Sequence, residues 1–449
     1  MRSIQQVTEK FISSMMAIDF CEGLTKGLTE METLMKEFGR IVSEYKLTEI
    51  DEAIFTSGRM RKNWVVEHKD VPRDLLTQFG TLQFCRRYYR NKKSGEYKYL
   101  VDDLVGIERG ERVETGLAIK LCETATDISY AKSAKICCEG ELSRQTVMRK
   151  TRKVSGCKLE EPDAREDVQV IHIQADEDHV AMQDGRRDTI VKLAVIHEPA
   201  QQIGKKRFKL PQRHLMSSYN EPVEDFWLRV ADELDRRYKD LSRLKIYIHG
   251  DGAGWIRSGT KWISNSYFVM DKYHVKKMVR QVTGGDESYM QYIWDWFRTD
   301  DRKSINGLAK ACIAEGICAE RTGTDFISYI RNNWDGIQIW YSPKHEAGGS
   351  CAEGLVSHVL SSRLSSRPCG WRDEGLETIS RLRVYVLNGG RIRPENIKKP
   401  YKPVIRATQT FKKAVGLGEY DISNALYTEH RSSSQYRMFK AITEGGYSF

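Results

Sequence analysis

Three acidic residues stand where strands should end or a helix should begin, and their side chains can hold metal ions. Asp176 follows the apolar run Val168-Gln-Val-Ile-His-Ile-Gln-Ala, in Ala175-Asp-Glu-Asp-His-Val. Asp251 follows Leu244-Lys-Ile-Tyr-Ile-His, within His249-Gly-Asp-Gly-Ala-Gly-Trp, where glycines let backbone and ligand come close. Glu353 falls in the first turn of a helix expected after Ser350, in Gly348-Gly-Ser-Cys-Ala-Glu-Gly-Leu-Val-Ser-His. Hard carboxylate oxygens suit Mg²⁺, and two such ions about 4 Å apart can activate an attacking oxygen and stabilise a leaving one. A single Asp after a strand is more often a turn or capping residue, so spacing alone leaves both readings open. Asp271-x-x-His274 opens a basic helix after Phe268-Val-Met. Both residue types ligate metals, and the pair also reads as a helix-start Asp with a packed His.

The elements that must carry these residues follow from periodicity. From 168 onward, strands are expected at 168–175, 189–197 and 244–249, a helix at 222–241, a helical stretch at about 286–334 and a further strand at Gly336-Ile-Gln-Ile-Trp-Tyr. Residues 1–60 carry apolar residues at helical spacing, among them Phe11, Met15, Ile18, Leu34, Phe38 and Ile41. The segment 61–110 contains β structure, with alternation from Gly80 to Tyr89, a turn at Lys93-Ser94-Gly95 and a strand resuming at Tyr97. Residues 111–157 have helix-turn-helix phrasing: a helix from Ser129, a turn at Glu139-Gly140, and a basic helix after Ser143. An ordinary helical hairpin gives the same pattern. The polar segment 158–167 reads as a linker before a domain spanning 168–449, whose helical insertion covers about 281–335.

Composition narrows the classes. With 449 residues, 40% hydrophobic, 9 Trp, 21 Tyr and 14 Phe, the chain can bury substantial cores, which excludes general disorder. No apolar run approaches the roughly 18 residues of a membrane span, and the N-terminal segment does not read as a secretory signal. Ten cysteines without a Cys-x-x-Cys pair read as reduced, mostly buried thiols of a cytoplasmic protein. A net charge of +10 favours nucleic acid over membrane as partner.

The ordered set Asp176, Asp251, Asp271-x-x-His274 and Ser350-x-x-Glu353 resembles DDE transposases of the Mutator-like kind. More closely, the chain resembles ISLre-type bacterial insertion-sequence transposases, long catalogued as an uncharacterised protein family. Gln174-Ala-Asp-Glu-Asp-His-Val-Ala-Met-Gln, Tyr247-Ile-His-Gly-Asp-Gly-Ala-Gly-Trp-Ile and Val356-Ser-His-Val-Leu-Ser-Ser-Arg-Leu-Ser-Ser-Arg-Pro-Cys-Gly-Trp carry the likeness. Gly254 departs from it, since a bulkier residue is expected before Trp255. The resemblance implies an α/β RNase H-like catalytic core with an all-helical insertion, preceded by a mainly helical N-terminal DNA-binding region. It also implies Asp176, Asp251 and Glu353 as the metal-binding catalytic triad for two Mg²⁺ ions, with Mn²⁺ as substitute. Asp271 and His274 form an auxiliary pair. Asp178 shares a face with Asp176 by strand alternation and is the substitute for the first acid.

The activity implied is cleavage and strand transfer at the ends of an insertion sequence, on double-stranded DNA, with a homodimer or larger assembly in the DNA complex and a cytoplasmic, nucleoid-associated location. Arg144, Gln145, Arg149 and Lys150 on the basic helix are candidates for DNA contact. So are Lys205, Lys206 and Arg207 in an acid-free basic stretch, and Arg363 with Arg367 on the helix after Glu353. The run 391–413, eight basic residues against Glu395 with Tyr401 and Phe411 between them, is a further basic stretch. Trp371 reads as a core anchor. Two rivals remain: a nuclease of the same fold without strand transfer, and a helix-turn-helix regulator that binds DNA without cutting it.

Overall fold

The helical period over residues 1–60 forms two helices, α1 (Ile4–Met16) and α2 (Leu24–Thr56), whose Phe11 and Phe38 rings stack at 4.1 Å. A computed structural model describes residues 4–205, 207–399, 402–408 and 411. These fall into two units: the described parts of Met1–Leu121, Ala134–Arg144 and Arg393–Phe449, and Cys122–Ser133 with Gln145–Ile392.

The first unit holds an antiparallel sheet of β1 (Trp64–Thr77), β2 (Gly80–Asn91) and β3 (Tyr97–Tyr99). β1 is not legible in the sequence because it contains Pro72 and a run of charges. It is tolerated as an edge strand, with register shifts around Asp70, whose φ is 54°. Ile54, Trp64, Phe84, Tyr89 and Leu100 form its core with Ile405 and Phe411. Phe411, expected among the cations of 391–413, is thus a core residue of this unit, while Lys206 and Tyr401 lie outside the described residues. Helix α3 (Leu100–Val105) follows β3. Next come α4 (Thr115–Asp127), α5 (Tyr130–Cys138) and α6 (Arg144–Arg152), with Glu139 and Gly140 at φ of 52° and 88° forming the turn read from the sequence.

The second unit is built on a five-stranded sheet. Its strands are β4 (Val170–His179), β5 (Ile190–His197), β8 (His214–Ser218), β9 (Lys245–Gly250) and β10 (Ser266–Met270), in the order β10-β9-β4-β5-β8. β6 (Gln201–Gly204) and β7 (Arg207–Lys209) form a separate exposed hairpin between β5 and β8. β4, β5 and β8 pair antiparallel, whereas β4, β9 and β10 run parallel. One face buries Ile171, Ile173 and Ala175 against Phe226, Trp227, Val230 and Leu234 of α7 (Val223–Arg237). α7 is amphipathic, with acids in its first turn and arginines in its last. The short α8 (Gly254–Arg257) follows β9.

Four helices follow β10: α9 (Lys272–Val282), α10 (Glu287–Arg298), α11 (Arg302–Ala314) and α12 (Glu320–Gln338). Their core includes Val279, Ile293, Phe297, Ile305, Phe326 and Ile330. The strand expected at 336–341 is not formed. Gly336 and Ile337 belong to α12 and a 3-10 turn covers Ile339–Tyr341. A Cβ on Gly336 would stand 2.8 Å from the Phe268 ring, so the helix crosses β10 there, and the alternating isoleucines serve helical packing instead. On the other sheet face, α13 (Ala352–Val356), a π-helical turn at Ser357–Ser361, α14 (Ser362–Leu364) and α15 (Asp373–Leu387) bury Val359, Leu360, Leu364 and Ile379 against Val191, Leu193 and Val195. Trp371 is in this core, as read. α16 (Pro394–Ile397) belongs to the first unit.

The cysteines are free, but only Cys122, Cys138 and Cys312 are buried, and four are exposed, which corrects the expectation of mostly buried thiols. Cys85, for example, lies on an outward position of β2. No described helix is long and apolar enough to cross a membrane.

His214 on β8 is buried between Arg237, whose Nη2 lies 2.7 Å from its Nδ1, and Glu233, 3.3 Å from its Nε2. Burial first, and the Arg237 charge second, lower its pKa to about 4. The unfolded chain therefore takes up a proton near pH 6.5 that the folded chain refuses, so this histidine's contribution is present above that pH and lost on acidification. Between pH 7 and 5 the wild type should lose about 2 kcal/mol relative to His214→Gln. Urea midpoints of both proteins at the two pH values check this, and parallel curves would reject it.

Candidate active site

The parallel register of β4 and β9 sets Gln174 opposite His249. Asp176 and Asp251 each lie two residues further on, hence on the same sheet face and side by side where the two strands part. β10 extends the row: Met270 pairs with Gly250, and the Asp271 N–H donates to Gly250 O at 2.9 Å, bringing Asp271 next to Asp251. Three aspartates thus lie on three adjacent parallel strands, Asp251 and Asp271 just past the ends of β9 and β10 and Asp176 where β4 runs on beyond its pairing with β9. β4 continues to His179 rather than stopping at 175, so Asp176 is a mid-strand residue paired with Leu193 of β5.

Burial raises the Asp176 carboxyl to about 6, and the charge of Asp251 adds to that while His274 opposes it. Asp176 Oδ1 accepts from the Glu177 N–H at 2.9 Å, and Asp251 Oδ1 from the Ala253 N–H at 2.9 Å. Neither forms an ion pair among the described residues. Asp271 caps α9 by accepting from the Tyr273 N–H at 2.8 Å, with His274 in the next turn. The capping reading therefore holds for Asp271. Helix α12 supports the Asp251 turn: the Tyr329 hydroxyl donates to Asp251 O at 3.3 Å, and Asn333 meets Gly252, whose φ is +97°.

Glu353 is exposed in the first turn of α13. That turn is anchored to β4, because the Cys351 N–H donates to Gln174 Oε1 at 3.0 Å. Among the described residues no group of three His, Cys, Asp or Glu side chains is arranged to hold a metal ion. The strand register sets Asp176, Asp251 and Asp271 on neighbouring strands, with His274 close enough to act on the Asp176 charge, while Glu353 is exposed on α13. The oxygen donors themselves suit a hard divalent cation, and the unpaired Asp176–Asp251 couple is a locus of negative charge that such an ion would relieve.

Asp178, the substitute acid, has different surroundings from Asp176. It is 5% exposed, and its Oδ1 accepts from the hydroxyls of Ser361 and Ser365, each at 2.7 Å. Beneath the acids, on the same face, lie the buried rings of His172, His197 and His249, which sequence reading missed. His172 Nδ1 is 3.0 Å from His249 Nε2, and Gln174 Nε2 is 3.1 Å from His197 Nε2. Burial lowers His172 to about 4 and holds His249 well below the usual histidine range, so this floor is polar but uncharged. The period-two run His172, Gln174, Asp176, alternating with Ile171, Ile173 and Ala175, was the signal for it.

Of the proposed DNA contacts, Arg144, Gln145 and Arg149 are exposed on α6 and Lys150 is half-buried. Lys205 and Arg207 are exposed on the β6–β7 hairpin. Arg363 is not free: its Nε donates to Ala125 O at 3.0 Å, and its guanidinium lies over the rings of Tyr130 and Trp371. α14 ends at Leu364, so exposed Arg367 does not share a helical face with it.

The closeness of β4 and β9 depends on Gly250, where a Cβ would stand 2.7 Å from Ile256 and 2.9 Å from Ala175 O. Gly250→Ala should destabilise the protein by about 1–3 kcal/mol through overpacking. Gly254 has open space at its Cβ position, so its departure from the expected bulkier residue costs no room. Gly254→Ala should stay within about 0.5 kcal/mol of wild type. Urea unfolding of the two variants tests this, and equal effects would contradict the packing account.

A UPF0236 protein of Caldanaerobacter subterraneus subsp. tengcongensis, TTE0610/TTE0881/TTE1053/TTE2432, is 39% identical over 383 residues, covering 83% of this chain and 81% of the relative. A second UPF0236 protein of that strain, whose name joins eleven designations from TTE0033 to TTE2212, is 38% identical over 375 residues, covering 82% and 79%. The model of the uncharacterised protein family UPF0236 matches residues 22–400. With a match of that extent, the chain belongs to the UPF0236 family.

Proposed function

We propose that this protein is a DDE-type transposase with an RNase H-like core, cutting and joining the DNA ends of an insertion sequence of the ISLre type. The observation that carries the reading is the shared row of Asp176 and Asp251 on adjacent parallel strands, just beyond the point where those strands stop pairing. Three antiparallel strands followed by two parallel ones, with a helix on each side, is the arrangement expected of that core. The helical block between β10 and α13 agrees with an insertion between the second and third acids. The relative whose name joins eleven designations from one strain adds support, because a gene repeated in one genome is what a self-moving element leaves.

Asp176 and Asp251 would hold the cations, with Glu353 completing the set from α13. Bound Mg²⁺ supplies Lewis-acid activation of the attacking oxygen and neutralisation of the leaving one. The chain's own contribution is to keep two carboxylates adjacent and half-buried without a cationic side chain between them. The neutral histidine floor adds no competing charge. The Tyr329 hydroxyl holds the Asp251 carbonyl, with Asn333 packed beside Gly252. Exposed cations on α6 and on the β6–β7 hairpin would engage the DNA backbone and base edges.

Wild type and Asp251→Asn, incubated with labelled element-end DNA with and without Mn²⁺, test the reading. Metal-dependent 3′-end cleavage and joining should fall by roughly 10³-fold or more in the variant, about 4 kcal/mol of lost stabilisation, while DNA binding persists. Cleavage without joining would favour the nuclease, and binding without cleavage by wild type the regulator. Cleavage that survives the substitution would remove Asp251 from the site. Replacing Lys205 and Arg207 together by Ala should lower the slope of log affinity against log salt by about 2. Binding measured between 50 and 200 mM salt, roughly the range over which such contacts are read, checks this, and an unchanged slope would exclude the hairpin from the interface.

A further inference from the structure

On the polar face of β4, Gln174, Asp176 and Asp178 follow one another at a period of two. The outer two are tied to the segment 351–365 at its two ends. At one end, the Cys351 N–H donates to Gln174 Oε1 at 3.0 Å. The orientation of that amide is determined by its other partner. His197 Nδ1 lies 2.6 Å from Glu198 O and must donate there, so its Nε2 is an acceptor and takes the Gln174 Nε2–H at 3.1 Å. Gln174 Oε1 is then left facing Cys351, and the residue is 1% exposed. At the other end, Ser361 and Ser365, four residues apart, donate to the same oxygen of Asp178. Asp178 Oδ2 is buried with no partner among the described residues. A π-helical turn at Ser357–Ser361 lies between the two anchors, and such turns recur at functional sites. Glu353 stands two residues past the first anchor, and Asp176 lies between the two anchoring residues on the strand.

We propose that Gln174 and Asp178 are positioning residues that set where Glu353 stands relative to Asp176, with Asp178 acting as a hydrogen-bond acceptor and not as a metal ligand. This rests on the metal-site reading above. Both Ser hydroxyls bond a single Asp178 oxygen, and an Asn at this position keeps that acceptor while replacing the unpartnered one by an NH₂. Asp178→Asn should therefore behave as wild type, whereas a ligand aspartate tolerates no such change.

The test is Mn²⁺ binding to the full-length protein, followed by titration calorimetry, with thermal midpoints recorded for each variant. Asp178→Asn should bind Mn²⁺ within about threefold of wild type, while Gln174→Ala and the Ser361→Ala/Ser365→Ala double variant bind about 10-fold or more weakly, the range expected when a supporting partner of a ligand is lost. Asp251→Asn should show the largest loss. Should Gln174→Ala not fold, the serine double variant and Asp178→Asn still decide the matter. Loss of Mn²⁺ binding in Asp178→Asn, or wild-type affinity in the serine double variant, would overturn the positioning role while leaving the metal site standing. Absence of Mn²⁺ binding in the wild type would overturn the metal-site reading, and this inference with it.

Discussion

The close parallel pairing of β4 and β9 at Gly250 is the constraint on which the candidate site depends. A side chain at 250 would meet Ile256 and the carbonyl of Ala175, so only glycine lets the second strand lie this near the first. The register that results, Gln174 opposite His249, carries Asp176 and Asp251 onto one row. From there the rest of the unit is arranged around two sides of the sheet. α7 buries its apolar stripe under Ile171, Ile173 and Ala175, and the helical block beyond β10 supplies Tyr329 and Asn333 to the turn that follows.

The opposite, polar face of β4 has a harder electrostatic problem. Burial raises the Asp176 carboxyl, and the neighbouring Asp251 charge adds to it. The histidines below are held neutral by burial and give the carboxylates no counter-charge, while Asp176 and Asp251 themselves stay half-buried. Asp178, one step further along, is buried and takes serine hydroxyls instead. Two acids on the same face of the same strand therefore have different surroundings, one buried against two serines and one half-buried and accepting a backbone N–H.

Much of the second unit was legible because buried strands advertise themselves. The runs at 168–175, 189–197 and 244–249 correspond to β4, β5 and β9, and the helix at 222–241 to α7. The turn at Glu139-Gly140 followed from residues that tolerate positive φ. β1 was missed because its charges and Pro72 suit an edge strand that alternation cannot reveal. Gly336-Ile-Gln-Ile-Trp-Tyr misled in the other direction, since isoleucines two apart also fit a helix end crossing a strand. Arg363 reads as a surface cation in one dimension, yet two rings and a carbonyl enclose it.

By itself the sequence determined the candidate acids, the strands that bear two of them, and the family-like stretches around them, because residue type and local period are properties of short segments. Only the tertiary structure decided that Asp176 lies within its strand, that Asp271 joins the row, that Asp178 faces serines, and that Glu353 is exposed on α13. Those outcomes depend on strand register and on contacts between residues far apart in the chain. Register is set by how whole faces bury one another, and no local pattern contains it.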